Sequence, residues 1–73
     1  MSATLMWEAK AATGRTDELV AWALEHAVPA AAVYRSTDGR VVVIDASATG
    51  LPDVPAELVT RPPHVWPFVQ VRG

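Results

Sequence analysis

The chain has 73 residues, 51% of them apolar and 19% charged, with six basic against eight acidic side chains and a net charge of -2. That length holds one domain, residues 1–73, and the balance of apolar to charged residues excludes a disordered segment. The acidic balance argues against a nucleic-acid partner, and the lack of any cysteine removes disulfides, thiolate metal sites and thiol nucleophiles from consideration.

The first ten residues, MSATLMWEAK, carry neither the basic leader nor the long apolar run of a signal peptide. The longest uncharged stretch, His26 to Tyr34, contains Pro29 and falls well short of the ~18 apolar residues of a membrane span. The expectation is a cytoplasmic protein with no membrane partner. Residues 4–11, TLMWEAKA, alternate as a strand does, placing Leu5, Trp7 and Ala9 on one face and Met6, Glu8 and Lys10 on the other. Gly14 breaks that run. Thr16 then suits a helix N-cap, with Asp17 and Glu18 at the positive end of the helix dipole. The helix continues through DELVAWALEHAV with Leu19, Ala23 and Ala27 in line, and Val20 and Leu24 beside them, until Pro29 ends it.

Asp38-Gly39, flanked by AAVYRST and RVVVIDA, predicts a β-hairpin over residues 31–46 with a two-residue turn. Setting Thr37 opposite Arg40 pairs Tyr34 with Val43 and Val33 with Ile44. One face then carries Val33, Val42 and Ile44, the other Tyr34, Val41 and Val43, so both faces are apolar and both ask for cover. Residues 46–63 are irregular, with Gly50 and four prolines; Asp53 could cap a short helix through Ala56–Val59 that Pro62 forbids from extending. The final run, HVWPFVQVR, reads as a strand with Val65, Val69 and Val71 on one side and Trp66 and Phe68 on the other. Because proline cannot donate to a ladder, Pro67 assigns this strand to a sheet edge or a bulge.

The order β-α-β-β-(short α)-β predicts an α+β fold: a single ferredoxin-like plait whose helices cover one face of an antiparallel sheet. A chain of 7.8 kDa buries only about 60% of its unfolded surface, the marginal end of the range. A second copy, paired sheet to sheet as a homodimer, is the natural cover for the remaining face. The interface candidates are Tyr34, Val41, Val43, Trp66 and Phe68.

Chemistry-bearing residues are few. His26 and His64 are the only histidines, and no HxH or HExxH spacing supports a metal or an acid-base role. Metal binding through the pair, with Glu25 or Asp45, is a minor alternative, and no metal, cofactor or catalytic residue is assigned. Trp22, His26, Tyr34, His64 and Trp66 are the candidates for lining a pocket between helix and sheet for a small aromatic or hydrophobic ligand. Ser36, Ser47, Thr49 and Thr60 have no nucleophile-elbow context.

WEAKAATGRTDELVAWAL followed by VYRSTDGRVVVI resembles the antibiotic biosynthesis monooxygenase-like proteins of the dimeric α+β barrel superfamily, over residues 6–45 and, loosely, the last strand. The resemblance implies two ferredoxin-like protomers packed sheet against sheet, with some members oxidising polyaromatic substrates without metal or flavin in a cleft between sheet and helices. This chain departs from the pattern in its direct Pro29–Ala32 link and its short second helix, and no catalytic residue of the family maps onto it. The leading expectation is a non-catalytic homodimeric binding or accessory module; a cofactor-independent monooxygenase is the alternative.

Overall fold

The computed structural model describes residues 3–73. Strand β1 (Thr4–Lys10) leads into helix α1 (Thr16–His26), then strands β2 (Ala32–Arg35) and β3 (Arg40–Asp45), a 3-10 turn (Ala56–Leu58) and strand β4 (His64–Phe68). The result is a small α+β fold of one helix on a four-stranded sheet, in the order β2-β3-β1-β4, with every neighbouring pair antiparallel. β1 and β2 therefore run in the same direction with β3 inserted between them. Among the described residues no helix is long and apolar enough to cross a membrane.

The two-residue alternation in β1 decides which side is covered. Trp7 and Ala9 are buried beneath α1 together with Val41 and Val43 of β3, while Leu19 and Ala23 enter from the helix and Leu58 from the 3-10 turn. Their neighbours Met6, Glu8, Val42 and Ile44 point to the opposite side, since successive strand residues alternate faces. Pairing continues this face across the sheet. Tyr34, Val42, Glu8 and His64 form one row, and Ala32, Ile44, Met6 and Trp66 the next. No element of the described chain lies over these rows.

The hairpin register differs from the sequence expectation by one residue. Tyr34 pairs with Val42 and Val33 with Val43, because Ser36 rather than Thr37 stands opposite Arg40. The Ser36 N–H donates to the Arg40 carbonyl at 2.9 Å, and the Arg40 N–H donates to the Ser36 hydroxyl at 3.0 Å. The turn is thus a three-residue loop with Gly39 alone at positive φ, 88°, as in a type I turn closed by a left-handed glycine. The slip separates Tyr34 from Val41 and Val43, which pair with Ala9 and Trp7 of β1 on the helix side and are fully buried. They are core residues, and the interface candidates on the bare face become Tyr34, Trp66 and Phe68 beside Val42 and Ile44.

Smaller corrections follow from local geometry. Thr16 is the first helical residue, and Arg15, which makes no side-chain cap, holds the N-cap position. The helix stops at His26, since Pro29 disfavours helical backbone at Val28, and Leu24 faces solvent. The expected second helix is only the three-residue turn, without a cap from Asp53. β4 ends at Phe68, so Val69 and Val71 lie beyond it. Pro67 is accommodated as expected, because β4 is an edge strand bonded only to β1.

Candidate functional site

The segment between β3 and β4 builds a cleft on the helix side of the sheet. It starts at Asp45, only 2% exposed. One carboxylate oxygen accepts the Ser47 N–H at 2.9 Å and the Ser47 hydroxyl at 2.5 Å, and the other accepts the Gly50 N–H at 2.9 Å. The Ser47 hydroxyl, ahead of the amides of Gly50, Ser47 and Thr49, holds the Asp45 carboxyl below its ordinary value against the opposing effect of burial. Ala48 and Gly50 take the positive φ values, 56° and 79°, that let the chain turn back here.

The far end of the segment is pinned separately. The Ala12 N–H donates to the Leu58 carbonyl at 2.9 Å, the Thr60 N–H donates to the Lys10 carbonyl at 3.0 Å, and Ala11 bridges Val59. Between these anchors lies an open cleft of about 670 Å³. Leu5, Trp7 and Val65 form its floor on the sheet, and Leu51, Val54, Val59, Pro62 and Pro63 line its sides. Pro52, Pro62 and Pro63 stiffen the walls, so the backbone restrains this shape before any ligand arrives.

The polar lining consists of Asp45, Asp53, Thr60 and Arg61. Asp45 is occupied by its own loop. The other cations near the sheet and helix are paired: Arg15 with Glu18 at 3.1 Å, Arg35 with Asp17 at 2.9 Å, Arg40 with Glu8 at 3.8 Å, and Lys10 with Asp38 at 3.9 Å. Arg61 makes no ion pair among the described residues, and it stands at the edge of an apolar cavity.

The five pocket candidates read from sequence divide between the two sides of the sheet. Trp22 stacks on His26 with centroids 4.5 Å apart, and on Trp7 at 6.0 Å. His26 is exposed, and its Nδ1 donates to the Trp22 carbonyl at 2.8 Å, since a carbonyl only accepts. His64 stacks on Trp66 at 5.4 Å on the bare face, two residues apart on one strand, and Tyr34 lies on that face at the opposite edge. None of the five lines the large cleft. Among the described residues no group of three or more His, Cys, Asp or Glu side chains could hold a metal ion, and the two histidines sit on opposite sides of the sheet.

Sequence reading missed the cleft because residues 46–63 have no periodicity to interpret. Its only signal was the concentration of prolines around Gly50. The bare face has a smaller hollow of about 310 Å³, where Thr4 and Ala46 leave a gap between Ile44 and Phe68. No protein-family model, curated protein or solved structure matches the chain.

Proposed function

We propose that the chain is a small non-catalytic binding module that pairs with a second copy through the bare faces of two ferredoxin-like sheets, the 3-10 turn standing where a second helix would lie. The observation that carries this reading is the uncovered apolar face, on which Tyr34 is 60% and Phe68 50% exposed. The chain exposes 4903 Å², whereas a compact monomer of this mass exposes ~4,400 Å². The difference is about 500 Å², and this face contributes to it beside Leu24, Val65 and the tail beyond Phe68. Covering that much on each of two protomers removes about 1,000 Å², the lower bound of a specific interface.

The resemblance of residues 6–45 to the monooxygenase-like dimeric α+β barrels supports the same mode of pairing, and a cytoplasmic setting agrees with the cysteine-free sequence. The enzymatic alternative gains nothing from His26 or His64, since neither lines the cleft. Sedimentation equilibrium at micromolar concentration tests the reading. A mass twice 7.8 kDa is expected, and a folded monomer over that range overturns it.

A further inference from the structure

We infer that the cleft between the sheet and the proline-rich segment binds an apolar monocarboxylate, with its hydrocarbon body on Trp7 and Val65 and its carboxylate at Arg61. This inference rests on the reading of the chain as a binding module and names the ligand class. The volume, about 670 Å³, falls in the range of small-molecule sites. Loop anchors at Asp45, Leu58 and Thr60 hold its walls apart, and the nearly buried Trp7 ring gives it a fixed floor.

The lining assigns the ligand's polarity. Inside, the surface is apolar, and the one buried carboxylate, Asp45, already accepts from Ser47 and Gly50; a ligand body therefore has nothing polar to satisfy. At the edge, Arg61 is the single cation of the lining and is unpaired among the described residues, whereas Arg15, Arg35, Arg40 and Lys10 each have a carboxylate. A guanidinium beside an apolar cavity fits a carboxylate fork. The lining holds no second cation, so a second negative group would go unpaired beside Asp53, and the ligand carries one.

Titration of the methyl-labelled chain with naphthoate, and with its neutral isostere naphthamide, tests this by NMR. Naphthoate is expected to move the methyls of Leu5, Val54, Val59 and Val65, and to bind about threefold to fivefold more tightly than naphthamide, the contribution of an exposed ion pair. Arg61→Gln removes that difference, and Arg72→Gln keeps it. Arg61 is exposed and unpaired, so circular dichroism of the variant matches the parent. Equal affinities, a preference that survives Arg61→Gln, shifts centred on Val42 and Ile44, or no shifts at millimolar probe each overturn the inference. Sedimentation of the same samples reads the pairing separately. A monomer that binds naphthoate in this way supports the ligand assignment while overturning the homodimer, and a dimer that fails to bind it overturns the assignment alone.

Discussion

Val42 and Val43 are consecutive in β3 yet belong to different environments: Val43 is fully buried under α1, while Val42 stands beside Tyr34 on the bare face. Val43→Ala leaves a cavity and is expected to lower folding stability by about 2 kcal/mol. Val42→Ala changes folding by less than half of that and weakens self-association instead. Urea denaturation and sedimentation of the two variants check this, and an exchange of the two effects would refute the register.

Asp45 makes stability pH-dependent. Its folded carboxyl is held below the ordinary value of 3.8, chiefly by the Ser47 hydroxyl. The contribution is complete above 3.8 and is lost as the pH falls through the lower folded value, because protonation surrenders the ionised acceptor. Asp45→Asn, expected to cost about 1–2 kcal/mol at neutral pH, flattens this acid limb. Parallel acid-melting curves for parent and variant would contradict the assignment.

Gly39 and Gly14 share a positive φ, 88° and 75°, but differ in surroundings: a Cβ on Gly39 would lie 3.4 Å from the Thr16 hydroxyl, and one on Gly14 would meet nothing within 4 Å. Both alanine substitutions bear the left-handed penalty of roughly 1–2 kcal/mol. Gly39→Ala and Gly14→Ala are expected to cost about the same, since 3.4 Å to the Thr16 hydroxyl is ordinary van der Waals contact and backbone conformation decides both. Chemical denaturation of the pair provides the comparison.

Trp66 and Trp22 are both partly exposed indoles, one on each side of the sheet. Trp66→Ser is expected to raise the dimer dissociation constant at least about tenfold, as loss of a central aromatic anchor does. Trp22→Phe leaves it unchanged, because the Trp22 ring stacks between Trp7 and His26 on the helix side. Equal effects on sedimentation would place the interface elsewhere.

Much of the framework was legible because it rests on periodicity. The alternation Leu5, Trp7, Ala9 against Met6, Glu8, Lys10 separates the two faces of β1 without saying which one α1 covers, and Pro67 marks β4 as an edge strand. The hairpin was found from Asp38-Gly39 but misregistered. That dipeptide suits two turn geometries, and the Ser36 hydroxyl, which caps the Arg40 N–H, selects the longer one. A one-residue slip exchanges the faces of one strand relative to its partner, so the sequence register groups Val41 and Val43 with Tyr34, whereas the pairing of β3 with β1 sets them under α1. The cleft was not legible at all. It depends on hydrogen bonds that Asp45 accepts from a segment without repeat, and Arg61 acquires meaning only once its neighbours in space are known.

The two sheet margins have a further effect on how copies of this chain can meet. β2 offers only four residues as a template, and β4 presents Pro67, which has no N–H to give. Neither margin supports strand-by-strand extension into a longer ribbon, the route by which flat sheets grow into fibres. In the proposed pairing, contact between copies uses the flat side instead, where a twofold arrangement would consume both surfaces at once and stop at two. Pro67 thus withholds from the β4 margin one of the donors that such growth would use.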